Sequence, residues 1–237
     1  MDSLYLWVNL GAIFFPLLLS FNKWGHFYKR WPAVFISIGV MAAFIISWDV
    51  LFTIWGVWGF NEEYLLGPSF LHLPLEEWLF FLCIPYSFMF LYDQLVVLKV
   101  KNILAPAEKY LDYSFLILAV IYLVAGFGNI YTTTISILVI LFTLIMVKLN
   151  PPNRGIFYLS YLIILIPFTV VNGVLTGYVT PDPIVWYNDA ENLGIRFLTI
   201  PIEDYLYYFL MYGISYLIYE SIKNQKRLTH FNLFHLI

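Results

Sequence analysis

Seven long apolar runs dominate the chain, at about 4–21, 32–58, 74–97, 111–128, 131–149, 156–177 and 200–222. A bilayer core needs roughly 20 apolar residues to be crossed by a helix. In lipid every backbone N–H and C=O must be satisfied within the segment or by a closed barrel, and runs this long argue for helices. Charged residues make up only 11% of the sequence, where a soluble domain carries roughly 25%. The expected fold is all-α: a polytopic membrane bundle of about seven transmembrane helices.

The distribution of charge tests that count. Alternate loops collect Lys23, Lys29 and Arg30; Lys99, Lys101 and Lys109; Lys148 and Arg154; and Lys223, Lys226 and Arg227. Eleven of the twelve basic residues thus fall on one side, with Arg196 alone on the other. A miscounted span would scramble this partition. The positive-inside rule then places the N-terminus outside and the C-terminus in the cytoplasm of a cell-membrane protein. Asp2 precedes the first run and the basic residues follow it, so this run reads as a retained helix rather than a cleaved signal.

The chain also repeats. Residues 60–93 align without a gap on 187–220, at an offset of 127. Phe60-Asn61-Glu62 matches Tyr187-Asn188-Asp189, Gly67 matches Gly194, Phe70-Leu71 matches Phe197-Leu198, and Tyr92-Asp93 matches Tyr219-Glu220. At the centre of the match, Pro74-Leu75-Glu76-Glu77-Trp78 aligns on Pro201-Ile202-Glu203-Asp204-Tyr205. Spans 1–3 therefore correspond to spans 5–7, with span 4 as connector. The implied organisation is a first three-helix repeat at 1–98, a connector with the fourth helix at 99–130, and a second repeat at 131–237. Three helices plus one connector make an even number, so both repeats enter the membrane in the same direction, related by a pseudo-two-fold axis along its normal. Both proline–carboxylate motifs then share one leaflet.

Each motif sets two adjacent carboxyls at the mouth of an apolar run. Proline suits the first helical position, and the free N–H groups and dipole of the first turn favour an acid there. Burial in low dielectric opposes ionisation, and four convergent acids cannot all be charged cheaply, so at least one is expected to keep its proton near neutral pH. A protonated carboxyl in an apolar site is a potential general acid. The plain alternative is a solvated pair of helix caps, less economical for two copies in register.

The second helix of each repeat adds Asp49 or Asn172. At a rise of about 1.5 Å per residue, Asp49 lies roughly 25 Å from the inner end, level with the acid motif and placed to share a proton with Glu76 or Glu77. The alternative is one interhelical hydrogen bond. Asn61 and Asn188 cap or orient the carboxylates or simply hold their loops. Arg196 balances Glu203, Asp204 or Asp189, or simply makes a loop salt bridge. His72 is a possible proton acceptor or a structural residue. Asp93 and Glu220 fall near the inner ends and read as interfacial.

Aromatic residues crowd the acids: Trp48, Trp55, Trp58, Trp78, Phe80, Phe81, Tyr205, Tyr207 and Tyr208. An interfacial belt accounts for most of them. The sharper reading is that ring faces hold a cation, which suits protonation of an alkene in a lipid substrate. There is no dinucleotide fingerprint, P-loop or HExxH. No Cys/His cluster suggests a metal, and the single cysteine, Cys83, lies within an apolar run. The expected chemistry is redox-neutral, without cofactor or metal.

The duplicated Pro-x-Glu-(Glu/Asp) signature, the two three-helix repeats and the length resemble the membrane-integral, non-flavin lycopene cyclases, in their fused single-chain form. The resemblance spans nearly the whole chain. It implies conversion of the linear ψ ends of lycopene into β-ionone rings in the bilayer. It carries Glu76, Glu77, Glu203 and Asp204 over as the motif carboxylates, without assigning acid and base and without extending to Asp49 or Asn172. The expectation is a lycopene β-cyclase, an isomerase of the intramolecular-lyase type. Its acid is Glu76 or Glu203, earlier in the first turn, and its partner is Glu77 or Asp204. Asp49, Asn172, Trp78, Tyr205, Phe80 and Tyr207 line the substrate. Expected partners are the carotenoid, the bilayer and possible pathway enzymes, with no nucleic acid. The alternatives are a proton-coupled transporter and a non-catalytic carotenoid-binding protein.

Overall fold

The computed structural model describes residues 3–234, with side chains through 225, and holds seven α-helices. They are α1 (Leu4–Leu19), α2 (Trp31–Ile54), α3 (Leu75–Val97), α4 (Glu108–Ala125), α5 (Ile130–Leu149), α6 (Arg154–Leu175) and α7 (Glu203–Phe234). Each overlaps one apolar run, but α2 stops at Ile54, short of the expected 58, and α7 runs on to Phe234, past the expected 222. Four stretches are long and apolar enough to cross a membrane: Phe27–Ile54, Leu75–Val97, Ile130–Leu149 and Arg154–Leu175. Helix α1 is apolar but shorter. Asp2 and the side chains of Lys226 and Arg227, used above for topology, lie outside the described residues.

The repeats do not sit side by side. Helix α2 packs against α7 and α6 against α3, so the second helix of each repeat lies on the third helix of the other. Helices α1 and α5 each pack on their own repeat's third helix, and α3 touches α7 directly. This exchange puts the interface between repeats at the centre of the molecule.

The loops leading to α3 and α7 meet in a short antiparallel ladder between β1 (Trp58–Phe60) and β4 (Val185–Tyr187). Gly59 faces Trp186, its own counterpart at the 127 offset, so the pseudo-two-fold axis runs through this pair. Both acid motifs therefore lie at the same end of the bundle, as parallel repeats require. The ladder also explains why Gly59 lacks a side chain: a Cβ there would lie 2.3 Å from the Trp186 indole.

Each loop then forms a two-stranded hairpin that feeds its helix. The first pairs β2 (Ser69–Phe70) with β3 (Leu73–Pro74), and the second pairs β5 (Arg196–Phe197) with β6 (Ile200–Pro201). Leu71 and Leu198, matched at the offset, both turn with positive φ, 52° and 57°. Leucine disfavours that region, and two copies holding it mark a turn fixed by its surroundings. Pro74 is the N-cap of α3 in extended backbone, one position earlier than the sequence pattern predicts, with Glu76 and Glu77 in the first turn.

At the opposite end α3 and α7 are clasped reciprocally. Tyr92 donates to Glu220 Oε1 at 2.9 Å and Tyr219 donates to Asp93 Oδ1 at 2.5 Å. Arg30 pairs with Asp93 at 2.6 Å and Lys223 with Glu220 at 3.1 Å. Asp93 and Glu220 are thus buried, each held by a phenol and a cation. A carboxylate at this depth is tolerable because both a phenol and a cation reach it.

Candidate active site

The adjacent acids of each motif point to different places. A helix turns about 100° per residue, so neighbours cannot share a direction. Glu76 and Glu203 turn back to their own hairpins: Glu76 Oε1 accepts the Leu66 N–H at 2.6 Å, and Glu203 Oε1 accepts the Leu193 N–H at 2.8 Å. Thr132 adds a hydroxyl to Glu203 at 2.6 Å. Both side chains are fully buried. They fasten the loop to the helix start, and neither lines the central cavity.

Glu77 and Asp204 do line it. The cavity lies between the repeats and is partly open, with an enclosed interior of about 50 Å³. Its polar wall includes Tyr5, Asp49, Glu77, Tyr131, Asn172, Thr176, Tyr187 and Asp204; its aromatic wall includes Trp58, Phe80, Phe168 and Tyr207. The sequence-predicted Asp49, Asn172, Phe80 and Tyr207 are therefore brought together with one acid from each motif. Trp78 and Tyr205 are not. Trp78 lies against Phe70 on the outer face of its hairpin, its Nε1 donating to the Phe70 carbonyl at 3.2 Å. Tyr205 packs between Phe168 and Phe197. Both sit one residue past the cavity-facing acid, which rotates them away.

Donors are distributed unequally. Asp204 accepts Tyr131 at 2.7 Å on Oδ1, and Asn172 at 3.1 Å and Tyr187 at 3.0 Å on Oδ2. Glu77 accepts Tyr5 at 2.5 Å on Oε2. Asp49 accepts the Trp58 indole N–H at 2.8 Å on Oδ1, and its buried Oδ2 has no partner among the described residues. Burial and the neighbouring Asp204, Glu77 and Asp49 raise the Tyr187 hydroxyl well above the usual phenol range, so it stays a donor. Tyr187, on the loop ladder, thus sits in the field of carboxyls from both repeats.

The ring faces are dense around these acids. Trp58 lies 5.1 Å from Tyr131, 6.0 Å from Tyr187 and 6.3 Å from Tyr207. Such a wall stabilises positive charge better than it stabilises water.

The remaining candidates are structural. Asn61 and Asn188 each accept a loop N–H two residues on, from Glu63 and Ala190, and do not touch the acids. Arg196 pairs with Asp189 at 2.6 Å and donates to the Thr199 carbonyl, leaving Glu203 and Asp204 without a direct ion pair to it. His72 lies at an exposed hairpin turn with φ 66°. Sequence reasoning missed Tyr5, Tyr131 and Tyr187. Tyr187 was visible as the partner of Phe60 in the repeat; Tyr5 and Tyr131 lie in first helices whose apolar composition carries no register signal.

A helical membrane bundle of two parallel repeats, closed around a cavity lined by buried carboxyls and aromatic rings, is the class this fold and site define. The family model described as lycopene cyclase matches residues 2–95 and 128–222, both repeats and most of the chain, and the protein belongs to that family. It is a membrane-associated enzyme of carotenoid biosynthesis with a carotenoid substrate. No curated protein and no solved structure matches the chain.

Proposed function

We propose that this protein is a lycopene β-cyclase that forms rings by proton-initiated, redox-neutral isomerisation in the cavity between its repeats. One carboxylic acid protonates the terminal double bond of a ψ end, leaving a tertiary cation. The neighbouring double bond attacks that cation and closes a six-membered ring, moving the charge onto the ring. A carboxylate then removes a ring proton to leave the β-ring double bond. One proton is consumed and one released, so the balance needs no cofactor.

The observation that carries this reading is that one acid from each repeat, and not the adjacent one, faces a single aromatic-lined cavity. We assign the base to Asp204, because three donors converge on it, the environment that favours a carboxylate anion. Glu77, with one donor, and Asp49, with an unpartnered Oδ2, form the proton-holding side because they line the cavity; Glu76 and Glu203 each also carry an unpartnered Oε2 but do not line it. This moves the acid role from Glu76 or Glu203 to their neighbours. The rings of Trp58, Tyr131, Tyr187 and Tyr207 face the cation. One cavity takes one polyene end at a time, so a two-ringed product requires release and rebinding.

The repeat boundaries at 1–98, 99–130 and 131–237 belong to this reading, as does an orientation in the cell membrane with the site toward the outer leaflet, the N-terminus outside and the C-terminus cytoplasmic. Expression in a lycopene-producing bacterial host tests it. A cyclase shortens the conjugated chain and turns red cells orange or yellow; unchanged lycopene alongside folded protein refutes it.

A further inference from the structure

A linear polyene is far longer than the carboxylate cavity, so its chain must leave by some route. A second apolar cavity, open on one side and with an interior of about 60 Å³, shares the walls Phe80, Phe168, Asn172 and Tyr208 with the first. It continues along α3 past Ile84 to Phe88, and along α6 past Pro167 to Ile164, with Ala12 of α1 opposite. Phe88 is about 16 Å along the helix from Glu77. Pro167 is exposed and Val171 half-exposed, so the space opens on the lipid-facing side between α1 and α6. Its lining is mostly apolar; the polar groups are Ser87, whose hydroxyl is already committed to the Ala12 and Cys83 carbonyls, Asn172 and the Tyr208 phenol.

The internal repeat shows why the space lies on this side. Asp49 and Asn172, the cavity-lining polar residues of the two second helices, lie 123 residues apart, and at that offset Val171 corresponds to Trp48; in the third helices Phe80 corresponds to Tyr207 at the 127 offset. On the other side the Trp48 indole lies 5.4 Å from the Tyr207 ring and 4.8 Å from Phe52, filling the matching place. Val171 leaves the corresponding volume beside Phe80 open. The pseudo-symmetry of the backbone is thus broken by one side chain per side.

We propose, resting on the cyclase reading, that the polyene chain runs from the carboxylate cavity through this α1–α3–α6 channel, and that Val171 sets its width while Trp48 closes the mirror-image route. The enzyme accordingly receives its substrate from one side only.

The test is a size series, Val171→Ala, Leu, Phe and Trp, with Ala12→Phe from the facing helix, in membranes supplied with lycopene. Lycopene conversion per amount of folded protein is read beside the thermal midpoint of each variant in detergent. Conversion is expected to fall stepwise with side-chain volume at 171, by at least about 10-fold at the largest member that folds, and by a similar factor for Ala12→Phe. The thermal midpoint should not follow the same order, which separates obstruction from damage. Conversion that is flat across the series, or that merely tracks the midpoint, overturns the channel. A wild-type protein that leaves lycopene unchanged rejects the cyclase reading instead, so the two failures are distinct.

Discussion

The two acids of each motif are chemically alike and sequence neighbours, yet they do different work. Glu76 and Glu203 accept hairpin N–H groups through Oε1, a contact an amide oxygen can also make, while each buried Oε2 has no partner among the described residues. Glu76→Gln is expected to keep most of the conversion, whereas Glu76→Ala orphans the Leu66 N–H and costs about 1–3 kcal/mol of stability. Glu77→Gln and Asp204→Asn keep shape but cannot exchange the proton. Each should lower conversion at least about 100-fold, the usual worth of a general acid or base, with unchanged thermal midpoints. Pigment analysis of the four variants beside their melting curves decides this. Wild-type conversion by Glu77→Gln would remove Glu77 from the chemistry.

Elements position these residues through two ties at opposite ends of the bundle. At the acid end the β1–β4 ladder delivers Tyr187 to Asp204. Gly59→Val drives a branched side chain into the Trp186 ring. It is expected to lower stability by about 1–3 kcal/mol through overpacking and to reduce conversion as well, because the ladder carries a site residue. At the far end the Tyr92–Glu220 and Tyr219–Asp93 clasps hold α3 to α7 away from the chemistry. Tyr219→Phe should cost about 1–3 kcal/mol in the melting curve, since it removes a donor to a buried carboxylate, and should leave conversion per folded molecule near wild type. A loss of conversion without a loss of stability would place the far-end clasp in the reaction.

For the whole molecule, the exchange of second helices means neither repeat owns the site. Cavity residues come from α1, α2 and α3 and from α5, α6 and α7. Fragments divided within residues 99–107 are expected to be inactive alone and active when co-expressed, measured by pigment conversion. Activity from either fragment alone would refute a site shared between repeats. A single cavity also predicts that a one-ringed product rises and falls before the two-ringed product in a time course.

Much of this was legible without coordinates. Run lengths fixed the helices because lipid forces the backbone to satisfy itself within each span. The loop charges gave an expected count of seven spans, of which four helices are long and apolar enough to cross a membrane, and the gapless match of 60–93 on 187–220 gave the repeat and placed both acid motifs at one end of the bundle. The acid pairs stood out because carboxyls are rare in apolar surroundings. Which member of each pair faces the central cavity was not legible. Apolar helices in lipid carry apolar residues all round, so no amphipathic stripe reveals their rotation, and adjacent residues point about 100° apart. Only the packing of α2 on α7 and α6 on α3 set that rotation. It turned Glu77 and Asp204 inward, sent Glu76 and Glu203 to the hairpins, and brought the tyrosines of α1, α5 and the loop ladder onto the acids.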